Sequence, residues 1–84
     1  MSHLVHVKFF ARLREELGVA GLEVPVEEAP DLDALKHWLG EAHPHWQPML
    51  SGRLLTAVNQ TMTQTNQPLK PGDEVALFPP VTGG

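Results

Sequence analysis

The chain contains no cysteine. That one absence removes disulfides, iron–sulfur clusters, thiolate-bound zinc and thiol catalysis together. It leaves the compartment open, and the cytoplasm is the default expectation. Positive charge is also scarce: six Lys and Arg stand against ten Asp and Glu, for a formal net charge of −4. A balance of that sign disfavours nucleic acid and anionic membrane as main partners. Long apolar runs are missing too, so no membrane span is expected. The first residues are His-rich and enter a strand directly, unlike a secretory signal.

What is present suits one small folded domain. The 84 residues are 42% apolar, and a chain of this size buries about 60% of its unfolded surface. Leu4 to Phe10 alternates, with Val5, Val7 and Phe9 on one face and Leu4, His6, Lys8 and Phe10 on the other. Ala11 to Leu17 suits two helical turns, stopped by Gly18. Leu22, Val24 and Val26 form a second alternating strand, which Pro25 assigns to a sheet edge because its missing N–H does no harm there.

Asp31 is placed to cap the main helix, whose stripe is Leu32, Leu35, Leu39 and Ala42. Trp38 lengthens that stripe, Gly40 weakens the helix and Pro44 ends it. Trp46 to Gly52 is expected as a loop, Leu54 to Asn59 as a strand, and Thr61 to Thr63 as a short extended piece. Asn66-Gln67-Pro68 is a turn, and Pro71-Gly72 fits the centre of a type II turn. Glu74 to Phe78 is the last strand. The element order predicts an α+β fold, a mixed sheet of four to five strands packed on one main helix.

Alternation on the last strand puts Val75 and Leu77 inward and Phe78 outward, matching Phe10 on the first strand. Phe10 and Phe78 are therefore candidate anchors of a protein-binding patch. Met62 is a third candidate, its parity left open by the pattern. Pro79 and Pro80 end the strand, and Val81, Thr82, Gly83 and Gly84 follow. Ordinary tails are polar and charged, whereas this one is apolar and stiff, as a segment inserted into a partner would be. Residues 1–78 are thus expected as the domain and 79–84 as a flexible tail ending in Gly-Gly.

Four stretches together resemble the small-subunit family of molybdopterin synthase: Phe9 to Glu15 (FFARLRE), Leu54 to Thr61 (LLTAVNQT), Leu69 to Val81 (LKPGDEVALFPPV) and the final TGG. The resemblance runs nearly end to end, with PGDEVA and FPPVTGG its most specific parts. It implies a ubiquitin-like β-grasp fold and a sulfur carrier for molybdenum cofactor biosynthesis. It further implies that a ubiquitin-activating-like adenylyltransferase uses ATP to adenylate Gly84. A sulfur donor enzyme then makes the thiocarboxylate, which passes sulfur to cyclic pyranopterin monophosphate inside the large synthase subunit. No permanently bound cofactor is implied, and a heterotetramer of two small and two large subunits is. The chain would be a sulfur-donating subunit without a complete active site of its own.

The tail suits such chemistry. A free α-carboxylate, pKa about 3.5, is ionised at neutral pH and a poor electrophile until its oxygen becomes a leaving group. With no cysteine, the C-terminal carbon of Gly84 is the sensible carrier atom. Gly83 and Gly84 lack Cβ and permit close backbone approach in a narrow channel. Pro79 and Pro80 fix φ and hold Phe78 extended, reducing the entropy lost on threading. Thr82 is placed to hydrogen-bond a channel wall, or is simply a small tolerated residue.

Other clusters point to ordinary roles. His43 with His45, and His3 with His6, lack a third ligand at metal spacing, so no metal site is expected. Glu15-Glu16 and Glu27-Glu28 are solvated charge, and Trp38 and Trp46 are core or boundary residues. Two rival functions share the fold. One is a ubiquitin-like modifier joined through Gly84 to a target lysine; the other is a β-grasp interaction module with no covalent chemistry. The thiazole-pathway sulfur carriers are a nearer alternative, which FPPVTGG and the length fit less well.

Overall fold

A computed structural model describes residues 3–50, 54–63 and 65–80. Five strands form one mixed sheet: β1 (Leu4–Phe9), β2 (Gly21–Pro25), β3 (Leu55–Val58), β4 (Thr61–Thr63) and β5 (Glu74–Phe78). Among the described residues the helices are α1 (Ala11–Leu17), α2 (Leu32–Ala42) and α3 (Gln47–Leu50), with a 3-10 turn at Pro44–Trp46 before α3. The spatial order is β2-β1-β5-β3-β4. Strand β1 pairs in parallel with β5 at the centre, and β2, β3 and β4 join antiparallel to their neighbours.

Alternation produces the layering. Val5, Val7, Phe9, Val24, Val75 and Leu77 are buried on one face, in register as Val5–Val24, Val7–Val75 and Phe9–Leu77. Leu32, Leu35 and Leu39 of α2 and Leu13 and Leu17 of α1 join the same core. Both helices therefore cover one side of the sheet and leave the other bare. Pro25 lies on edge strand β2, as its missing donor requires.

The element ends have local causes. Gly18 closes α1 with φ 78°, donating its N–H to Arg14 O. Asp31 caps α2 by accepting the Ala34 N–H at 2.8 Å. A second, longer-range cap comes from Asn66, whose Oδ1 accepts the Asp33 N–H at 2.9 Å. Gly72, at φ 88°, sits where a type II turn needs it, and Asp73 N–H closes that turn on Lys70 O at 3.0 Å.

Four expectations are corrected. The stretch expected as a loop from Trp46 carries the 3-10 turn and α3; Gly52 lies outside the described residues. Ala42 is exposed rather than part of the stripe, because the core at that end is filled by Trp46, 3% exposed, with its ring edge-on to Phe9 at 5.7 Å. Val26 falls just past β2, in a turn, though its N–H still donates to His3 O at 2.8 Å. Phe10 is the extended N-cap of α1 rather than a strand residue.

Candidate functional site

The bare face of the sheet is built by the residues between the core positions. One row runs across four strands as Lys8–Ala76–Ala57–Met62. The next row pairs Phe78 with Leu55. Phe10 N–H donates to Leu77 O at 3.1 Å, carrying the β1–β5 register one step further and bringing the Phe10 backbone level with Phe78. Two small side chains, Ala57 and Ala76, thus floor a surface bordered by Phe10, Phe78, Leu55 and Met62.

The three predicted anchors are brought together on this face to different degrees. Phe10 is 45% and Met62 53% exposed, whereas Phe78 is half-buried. Register places Met62 opposite Ala57, so its parity, open in the sequence, is outward. Leu55 and Ala57 belong to the patch but were missed; strand pairing is the signal that finds them, and it is absent from local periodicity, whereas alternation along β5 by itself sets Ala76 on the face of Phe78.

Charge frames the apolar rows. Lys8 Nζ lies 3.0 Å from Glu74 Oε1 and His6 Nδ1 lies 3.4 Å from Glu23 Oε2. Beside Phe10, a shallow depression of about 420 Å³ is lined by Lys8, Arg14, Gly21 and Leu22. Gly21 keeps β2 on β1: a Cβ there would run into the Val7 carbonyl oxygen.

Strand β5 leads from this face directly into the tail. Pro79 and Pro80 are half-buried. Pro80 lines a groove of about 480 Å³ between α2 and the β3–β4 hairpin, with Leu32, Lys36, Leu54 and Thr56. Val81, Thr82, Gly83 and Gly84 lie outside the described residues. His43 stacks on Trp46 at 3.8 Å between ring centroids, with 16° between planes.

A five-stranded mixed sheet grasping one main helix, with a bare apolar face and a sequence that ends in diglycine, defines a ubiquitin-like β-grasp protein of the carrier or modifier type. Comparison with known proteins is more specific. The model of the ThiS family matches residues 7–84, and the chain belongs to that family. The molybdopterin synthase sulfur carrier subunit of Escherichia coli (strain K12) is 44% identical over 82 residues, spanning 96% of this chain and 100% of that protein. Among solved structures, SAMP1 from Haloferax volcanii matches with TM-score 0.80 at 28% identity, over 96% of this chain and 99% of that one. Subunits 1 and 2 of molybdopterin-converting factor from Helicobacter pylori form a solved complex. One chain of it matches with TM-score 0.71 at 32% identity, over 96% of this chain and 99% of that one.

Proposed function

We propose that this chain is the sulfur carrier of molybdopterin synthase, working through Gly84 and docking on the large subunit by the bare face of its sheet. The observation that carries the reading is continuity. The apolar rows end at Phe78, and the same strand continues into Pro79-Pro80 and the sequence Val81-Thr82-Gly83-Gly84. Docking by the face aims the tail, and six extended residues after Phe78 reach roughly 20 Å. The 44% identical relative from Escherichia coli and the complex of the two converting-factor subunits from Helicobacter pylori support the assignment.

The chemistry divides between chain and partners. A Gly84 carboxylate oxygen attacks the α-phosphorus of ATP on the adenylyltransferase, and pyrophosphate leaves. Sulfur at the hydrosulfide level, from a donor enzyme, attacks the carbonyl carbon, and AMP leaves with its electron pair. The thiocarboxylate then enters the large subunit, where sulfur passes to cyclic pyranopterin monophosphate. This chain supplies the reacting carbonyl and its delivery; the phosphate pocket and acid–base groups belong to its partners. ATP is thus a substrate of the activating enzyme, not a resident cofactor. Among the described residues no helix is long and apolar enough to cross a membrane, and we place the reaction in the cytoplasm, in a heterotetramer of two small and two large subunits.

The likeness to SAMP1 favours one second reading, conjugation of Gly84 to a lysine of a target protein. The two share activation and differ in acceptor. Incubating the activated chain with the large subunit and the pyranopterin separates them: dithiolene product supports the carrier, and lysine-linked adducts without product support the modifier.

A further inference from the structure

The chain is acidic overall, yet three of its six Lys and Arg, namely Lys8, Arg12 and Arg14, fall between positions 8 and 14, on either side of Phe10. Two of the three have acidic neighbours within the chain. Lys8 Nζ lies 3.0 Å from Glu74 Oε1. Arg12 stands three and four residues before Glu15 and Glu16 on α1, the spacing at which helical side chains meet. Arg14 has neither arrangement. Its neighbours at the same spacings are Phe10, Ala11, Leu17 and Gly18, none of them acidic. It makes no ion pair among the described residues, and Glu23, in the same depression, lies 3.4 Å from His6 instead.

The place of Arg14 gives this a consequence for binding. It is exposed, and with Lys8, Phe10 and Leu22 it lines the depression of about 420 Å³ on the bare face. Its backbone N–H donates to Phe10 O at 3.4 Å, so the aromatic anchor and the cation are fixed one helical turn apart. A partner that covers Phe10 also closes over the depression, and the guanidinium loses water. A charge desolvated without an opposite charge weakens a complex. An arginine so covered needs a carboxylate, which its planar fork of N–H donors grips in paired bonds.

We infer that the surface of the large synthase subunit that closes on Phe10 carries an Asp or Glu carboxylate, and that Arg14 is the residue of this chain that selects it. The inference rests on the docking face proposed above. Phe10 supplies apolar contact to any partner, whereas a forked ion pair beside it fixes orientation and rejects a partner without the carboxylate.

Calorimetric affinity for the large synthase subunit, at low and at moderate salt, tests this with the full-length parent, Arg14→Met, Arg14→Glu and Phe10→Ala. Arg14→Met keeps an unbranched apolar stem and removes the charge. Both Arg14 variants should melt with the parent, since the side chain is exposed and makes no ion pair among the described residues. Arg14→Met is expected to bind roughly fivefold more weakly and Arg14→Glu more than about twentyfold, and Arg14→Met should lose less affinity with added salt than the parent does. Parent-like affinity of both Arg14 variants, with Phe10→Ala weakened, overturns the carboxylate and leaves the docking face standing. Unchanged affinity for all three variants overturns the docking face and this inference with it. Equal weakening of Arg14→Met and Arg14→Glu, each with the salt dependence of the parent, would make Arg14 a packing contact alone and would also overturn it.

Discussion

Phe9 and Phe10 are consecutive in the chain and lie on opposite sides of the sheet. Phe9 is 1% exposed, edge-on to Trp46, and Phe10 is 45% exposed. The first belongs to the fold and the second to the proposed interface, so mutation should separate the two roles. Phe9→Ala leaves a cavity and should cost about 3–5 kcal/mol of stability. Phe10→Ala should leave stability within about 0.5 kcal/mol and weaken large-subunit binding by about 1–3 kcal/mol. Urea unfolding and calorimetric binding of the two variants check this.

Ala76 tests the floor of the same surface. It lies between Lys8 and Ala57 and points away from the helices. Ala76→Glu places a charge where an apolar partner surface would close. Binding should fall by more than about tenfold, because an unpaired charge at an interface centre loses its hydration. The circular dichroism spectrum of the free chain should be unchanged.

Gly21 offers a steric test. A Cβ at this position runs into Val7 O, a backbone atom that moves only with its strand. Gly21→Ala should push edge strand β2 from β1 and cost about 1–3 kcal/mol. Chemical denaturation measures the loss, and amide exchange should place it at Phe9 N–H, which bonds Ala20 O at 2.9 Å.

The β3–β4 turn makes a prediction of opposite sign. Gln60 holds φ 70° without the freedom of glycine. Gln60→Gly relieves that strain at some cost in unfolded-chain entropy, and should stabilise by about 0.5 kcal/mol. Asn59 acts differently: its side chain donates to Asp73 Oδ1 and accepts from the Glu74 N–H, both at 3.0 Å. Asn59→Ala should therefore destabilise by about 1–2 kcal/mol. Thermal melts of the two variants should shift in opposite directions.

Much of this was legible from local signals. Alternation gave the bounds of β5 and the inward face of β1, Pro25 marked an edge strand, and Pro71-Gly72 marked a turn that the structure closes as expected. Short elements were not legible. Gln47-Pro48-Met49-Leu50 is four residues long, too brief for a helical period to show. The left-handed Ala11, at φ 57°, left no trace because ARLREEL is an ordinary helical sequence. Asn59 suits the first central place of a primed turn, but Gln60 stands where glycine usually follows, so the Asn-Gly signal of the hairpin was missing. The docking face was half visible: alternation assigned Phe10 and Phe78 outward, but only strand register places Met62, Ala57 and Ala76 in one row. Val81 to Gly84 lie outside the described residues, and their role follows from the chemistry of the terminal diglycine.

The carrier chemistry of Gly84 is tested most directly by intact mass after incubation with ATP, the adenylyltransferase and a sulfur source, for the full chain and a Gly84 deletion. The expected result is replacement of one oxygen by one sulfur, located at Gly84 and absent from the deletion. An unchanged mass, with the adenylyltransferase shown active on another carrier, would contradict the carrier function.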